Sequence, residues 1–195
     1  MTKPPVPAEE ESCDLLAGHL EKVLIDSRSL RKRLIEMGRQ ITEDYRGREL
    51  AIVTILQGGM VFMADLIREV HLPLTIGSVS VASYHGGTTS SGTVTFHQSK
   101  MPDIRGKHVL VLDDILDSGR TLAAILRRFE EECQPASMKV CVLLEKQVER
   151  TETVDAHYCG FSIGDEFVVG YGLDYDGQYR NLPMIGVLSE EFINQ

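Results

Sequence analysis

The stretch Val109-Leu110-Val111-Leu112-Asp113-Asp114-Ile115-Leu116-Asp117-Ser118-Gly119-Arg120-Thr121-Leu122 leaves a chain few ways to fold. Its unbroken apolar run, Val109 to Leu112, follows Gly106 and Lys107 and suits a parallel strand covered on both faces. Asp113 and Asp114 then stand at the carboxyl end of that strand, where open α/β sheets bind their ligands. Gly119 lets the backbone turn tightly and approach a ligand. The N–H groups that open the next helix, with the hydroxyls of Ser118 and Thr121, make a nest for an anion. A ligand here must suit the nest yet tolerate several carboxylates close by. A phosphorylated sugar meets both demands, its phosphate in the loop and its vicinal hydroxyls donating to Asp113 and Asp114, while a divalent cation bridges any further phosphate. A helix cap alone would use Asp117 or Ser118 as N-cap, but it gives the two strand-end carboxylates nothing to do.

The remaining chemistry narrows the setting. A length of 195 residues suits one domain with a substantial core, and 43% hydrophobic with 25% charged residues is ordinary for a globular protein. The net charge of −9 argues against nucleic acid as a partner, since phosphate neutralisation needs a basic face. A small anionic ligand remains compatible, because local nests and bound cations override the global field. Cys13, Cys133, Cys141 and Cys159 form no CxxC pair and no zinc spacing, so they read as free thiols in a reducing, cytoplasmic setting. No apolar run is long enough for a membrane span, so no membrane partner is expected. Residues 1–12 carry three prolines and three glutamates and read as a flexible tail; residues 13–195 read as a single domain.

Strands and helices alternate along the rest. Leu30, Leu34, Met37 and Ile41 recur at helical spacing, with Ser27 or Ser29 as the cap. Leu50 to Leu56 reads as a buried strand that ends at Gln57-Gly58-Gly59, a second candidate anion loop. Met60 to Val70 then forms a helix with Phe62, Leu66 and Ile67 inward. Leu74 to Ser83 alternates toward a half-buried strand, with Ile76, Val79 and Val81 apolar and serines between them. The glycine-rich run Ser83 to Gly92 is either a hairpin tip or a lid, with Thr93 to His97 as a return strand. Leu122 to Cys133 is helical, Met138 to Leu144 is a strand ending at Glu145-Lys146, and Asp155 to Phe161 is a short strand. Such alternation implies a parallel sheet with right-handed crossovers. A P-loop and a dinucleotide fold are excluded, as neither GxxxxGK[ST] nor a strand-following GxGxxG occurs.

The apolar strand, acidic pair and Asp-Ser-Gly-Arg-Thr loop resemble the phosphoribosyl-pyrophosphate (PRPP) signature of the type I phosphoribosyltransferases. Ser83-Tyr84 matches the root of the catalytic loop in their purine-specific members. The run Phe167-Val168-Val169-Gly170-Tyr171-Gly172-Leu173-Asp174-Tyr175, followed by Arg180-Asn181-Leu182, is similar to the C-terminal part of the hypoxanthine-guanine phosphoribosyltransferases. The resemblance covers roughly Leu50 to Leu188.

It implies an α/β fold of that type, a mainly parallel central sheet flanked by helices with a small hood built from the N- and C-terminal segments. It also implies Mg²⁺-dependent transfer of 5-phosphoribosyl from PRPP to hypoxanthine or guanine, giving IMP or GMP and pyrophosphate in purine salvage. Asp113, Asp114, Asp117, Ser118, Gly119, Arg120 and Thr121 would then hold the 5′-phosphate and ribose, with Asp117 as catalytic base. Gln57, Gly58, Ser83, Tyr84 and Arg180 would take the pyrophosphate. The family usually has Lys where Gln57 stands, so binding there rests on Gly58 and neighbouring N–H groups. Lys146, Glu166, Phe167, Val168 and Asp174 would hold the purine, with Glu166 standing where the family often has Lys and reading the base through its backbone. Asp113, Asp114 and Asp174 would serve Mg²⁺, a hard cation that prefers oxygen and keeps several waters. A homodimer or homotetramer is expected from the same likeness. Rival readings are a phosphoribosyltransferase for xanthine or a pyrimidine, an RNA-binding regulator of the same fold, to which Arg31 to Arg33 would lend a basic patch, and a subunit that has lost catalysis.

Overall fold

The computed structural model describes residues 14–83, 94–97 and 100–193; the expected flexible tail and most of the expected lid lie outside them. In chain order the elements are α1 (Asp14–Ala17), β1 (Leu20–Ile25), α2 (Ser27–Asp44), β2 (Leu50–Leu56), α3 (Gly59–Glu69), β3 (Leu74–Ser83) and β4 (Val94–Phe96). Then follow β5 (His108–Leu116), α4 (Arg120–Glu132), β6 (Ser137–Lys146), β7 (Tyr158–Ile163), β8 (Val168–Val169), β9 (Ile185–Leu188) and α5 (Glu190–Ile193).

The main sheet has the order β4-β3-β2-β5-β6-β7, and every pairing is parallel except β3 with β4. Its central strands are continuous apolar strings because both faces are covered. One face packs Ile52, Leu110, Leu112 and Leu143 against α2 and α3 through Leu34, Met37, Phe62 and Leu66. The other packs Val53, Val109, Val111 and Val142 against α4 through Leu122, Ile125 and Phe129. Each such side chain, fully buried, stabilises by about 1.5–3 kcal/mol. Order reverses between β2 and β5: β2 leads outward to β3, and the chain then returns to the other side of β2. The carboxyl ends of β2 and β5 therefore flank a switch-point crevice.

The hood is a separate antiparallel sheet, β1-β9-β8, and it joins the two chain ends as the family likeness implies. Among the described residues no helix is long and apolar enough to cross a membrane.

Four local expectations are corrected. The cap of α2 is Asp26, whose carboxylate accepts from the Ser29 N–H at 2.7 Å, and not Ser27 or Ser29. β5 does not end before the acidic pair; Asp113 pairs with Val142, and the strand runs on to Leu116 because β6 runs on beside it. Ile76 is 60% exposed while Val79 is buried, because residues three apart on a strand point to opposite faces. α4 starts at Arg120, and its N-cap is Gly119 in the left-handed region (φ 80°), with no side chain capping it.

Candidate active site

Asp113 and Asp114 stand in the last four residues of β5, beside the end of β2. Their amides and carboxylates interlock: the Asp114 N–H donates to Asp113 at 3.1 Å, and the Ile115 N–H donates to Asp114 at 2.9 Å. No Lys, Arg or His among the described residues forms an ion pair with either. Burial and the neighbouring Asp114 charge raise the proton affinity of Asp113 well above the usual carboxylate range. Burial also raises that of Asp114, against hydrogen bonds and the Arg180 charge that pull it down. A carboxylate pair with Asp113 buried, Asp114 half-buried and no cationic partner calls for hydroxyl donors or a cation.

The pair opens onto a hollow of about 300 Å³, lined also by Leu56, Gly58, Asp117, Ser118, Gly119 and Thr121. With no side-chain cap on α4, the polar loop is left to face this space. Gly58 is fixed by contact: a Cβ there would lie 1.8 Å from Asp114 Oδ2. Gly172, at φ 106°, presses the other way, since its Cβ would lie 2.2 Å from the Gly58 carbonyl oxygen. The 57–59 turn is thus wedged between the acidic pair and the segment after β8. The Tyr171 hydroxyl ties that segment to α3 by donating to Asp65. Gln57 is exposed and lines neither this hollow nor the next.

A second hollow of about 340 Å³ shares Asp114, Ile115 and Asp117 with the first and is completed by Lys146, Glu166, Phe167, Val168, Leu173 and Asp174. Phe167 is half exposed and meets Tyr175 edge-on, which leaves a ring face open for stacking. Lys146 leaves the end of β6 with its stem buried, its ammonium 3.7 Å from Asp117 and 3.2 Å from Asp165. The two hollows meet at Asp117, so one ligand can fill both.

The family model for the phosphoribosyl transferase domain matches residues 24–176. The hypoxanthine-guanine phosphoribosyltransferase of Streptococcus pneumoniae is 42% identical over 177 residues, which are 91% of this chain and 98% of that protein. That of Staphylococcus epidermidis is 44% identical over 172 residues, 88% of this chain and 96% of that one. A hypoxanthine phosphoribosyltransferase crystal structure from Staphylococcus aureus matches with a TM-score of 0.89 at 39% identity, covering 95% of this chain and 100% of that one. The chain belongs to the hypoxanthine-guanine phosphoribosyltransferases. It is a transferase of the type I fold.

The other expected residues of this phosphoribosyltransferase fall partly within and partly outside the two hollows. Arg180 donates to the Gly172 carbonyl at 2.6 Å and pairs with Asp174 at 2.7 Å, so part of its fork is occupied. Asp174 also accepts from the Gly177 N–H at 2.7 Å. The Arg120 side chain turns to Thr151 and lines neither hollow. Glu166 lines the second hollow, and its Oε2 is buried without a hydrogen-bond partner. Ser83 ends β3, while Tyr84 lies outside the described residues. Among the described residues no three His, Cys, Asp or Glu side chains converge as a metal-holding group. Asp114 and Asp174 do share the second hollow, and two carboxylates suit a Mg²⁺ ion that takes its other ligands from substrate and water. Gly172 and Thr151 went unread in the sequence. Gly172 had the Gly-Tyr-Gly spacing as its only signal, and Thr151 had none.

Proposed function

We propose that the enzyme transfers 5-phosphoribosyl from PRPP to N9 of hypoxanthine or guanine, releasing pyrophosphate and giving IMP or GMP for purine salvage. The observation that carries this is the shared wall: an acidic pair with one buried and one half-buried carboxylate beside an uncapped helix start in one hollow, an open aromatic face and a lysine in the next, joined at Asp117. The 5′-phosphate sits in the 117–121 loop, and the ribose hydroxyls donate to Asp113 and Asp114, which removes the cost of their unpaired burial. The purine stacks on Phe167, with Lys146 donating to O6 and the backbone at Glu166 and Val168 reading the ring edge.

As the bond from C1 to pyrophosphate breaks, positive charge grows at the sugar and negative charge on the leaving group. Arg180 and the amides at Gly58 face the negative charge, which is electrostatic catalysis. Asp117 exchanges a proton with N7 of the purine as N9 takes the ribosyl group. Asp114 and Asp174, with Asp113 beside them, would hold Mg²⁺, which would supply further neutralisation of pyrophosphate charge. Family likeness supports a homodimer or homotetramer, and the free Cys133, Cys141 and Cys159 support a cytoplasmic setting.

A panel of purines and pyrimidines incubated with PRPP and Mg²⁺, with nucleotide read by chromatography, tests the reading. Hypoxanthine and guanine should react and adenine should not, since its amino group cannot accept from Lys146. Adenine as the best substrate would overturn the assignment of the second hollow, and no nucleotide from any base would overturn the activity.

A further inference from the structure

The turn after β6 has no part in the mechanism above, yet residues 147–154 run against the 117–121 loop. The Thr151 hydroxyl donates to the Ser118 carbonyl at 3.1 Å and accepts from Arg120 Nε at 3.0 Å. A hydroxyl has one proton and two lone pairs, so Thr151 fills both roles at once. The Glu152 N–H donates to the same Ser118 oxygen at 3.2 Å. The Glu152 carbonyl lies 2.4 Å from where a Cβ on Gly119 would stand, so turn and loop meet backbone to backbone. The turn is itself anchored to β6: the Arg150 guanidinium pairs with Glu145 at 2.5 Å and donates to the Val154 carbonyl at 3.4 Å.

The peptide between Ser118 and Gly119 is trans and planar, so the Ser118 carbonyl and the Gly119 N–H point in opposite directions. Two donors from the turn hold that carbonyl on their own side. The Gly119 N–H is thereby aimed at the opposite side, and Gly119 lines the first hollow. We propose that Thr151 is a positioning residue for the phosphate-binding loop, touching no substrate but fixing the Ser118–Gly119 peptide so that its amide faces the phosphate. This rests on the reading of the 117–121 loop as the phosphate site. A freely rotating peptide would present the ligand with an amide part of the time and a carbonyl oxygen the rest, and the oxygen would repel a phosphate.

Calorimetric titration of GMP and of guanosine, which lacks the phosphate, into the wild type, Thr151→Val and Thr151→Ser separates the two claims. Equal affinity of the wild type for both ligands would remove the loop from phosphate binding, and this proposal with it. Where the wild type prefers GMP, Thr151→Val should weaken GMP by roughly 3- to 10-fold, leave guanosine unchanged, and be rescued by Thr151→Ser. Wild-type GMP affinity in Thr151→Val overturns the proposal. So does equal weakening of both ligands, which is what general structural damage would give, or a failure of serine to rescue. Thr151→Ala removes the same hydroxyl with less bulk and reads the same outcomes should the valine variant not fold.

Discussion

Gly58→Ala isolates the wedge that sets the acidic pair. Gly58 lies at φ −58° and ψ −46°, so alanine meets no backbone strain there. In open space the exchange would be near neutral: alanine's entropic gain of about 0.4–1 kcal/mol is offset by the preference for glycine over alanine at an N-cap, the place Gly58 takes on α3. The new methyl, however, would fall 1.8 Å from Asp114 Oδ2 and 2.6 Å from its Cγ. Relief requires the carboxylate or the turn to move by more than about 1 Å, and overpacking of this kind costs about 1–3 kcal/mol. A shift of the carboxylate would also disturb its 2.9 Å bond from the Ile115 N–H. Urea unfolding of four proteins, wild type, Gly58→Ala, Asp114→Ala and the double variant, measures the coupling. Gly58→Ala should destabilise the wild type and be neutral or mildly stabilising once Asp114 is truncated, a coupling of about 1–3 kcal/mol. Gly58→Ala alone should lower kcat/KM for PRPP by on the order of 10²-fold, the usual effect of a group displaced by about 1 Å. The same stability change in both backgrounds, with kcat/KM unaltered, would refute the wedge.

The acidic pair and the base make two further predictions. Asp113 has its proton affinity raised by burial first and the Asp114 charge second, so the native state holds a proton that the unfolded chain releases. Its stabilising contribution is complete below the unfolded value of 3.8 and is lost as pH rises through the higher folded value. Asp113→Asn should therefore melt above the ligand-free wild type at neutral pH, with the gap closing below about pH 4, while PRPP affinity falls; a gap that widens in acid would reverse the reasoning. Asp117→Asn should lower turnover by about 10²–10⁴ while GMP still binds, as expected for a lost general base, and unchanged turnover would remove Asp117 from the chemistry.

The parts of this fold legible in the sequence are those whose environment is uniform along the chain. β2, β5 and β6 are covered on both faces, so each is an apolar string that needs no partner to be recognised. β1 escaped notice because Leu20–Ile25 is covered on one side only, mixes in Glu21 and Lys22, and owes its strand to β9 at the far end of the chain. The extension of β5 past the aspartates is likewise a property of the neighbouring β6, and no local propensity of Asp-Asp would suggest it.

The same division runs through the site. The 113–121 segment and the 166–168 segment are readable because each carries its chemistry in consecutive residues. The wedge at Gly58 is not, because it consists of close approaches between three segments distant in sequence: the end of β2, the end of β5 and the turn after β8. Glycine there contributes by what it lacks, and an absent methyl leaves no pattern beyond the glycine itself. Gly58 and Gly172 are each equally consistent with an ordinary turn until the Asp114 carboxylate and the Gly58 carbonyl are found where their side chains would be. A substitution at either glycine should therefore act through Asp114, even though Gly172 lines neither hollow.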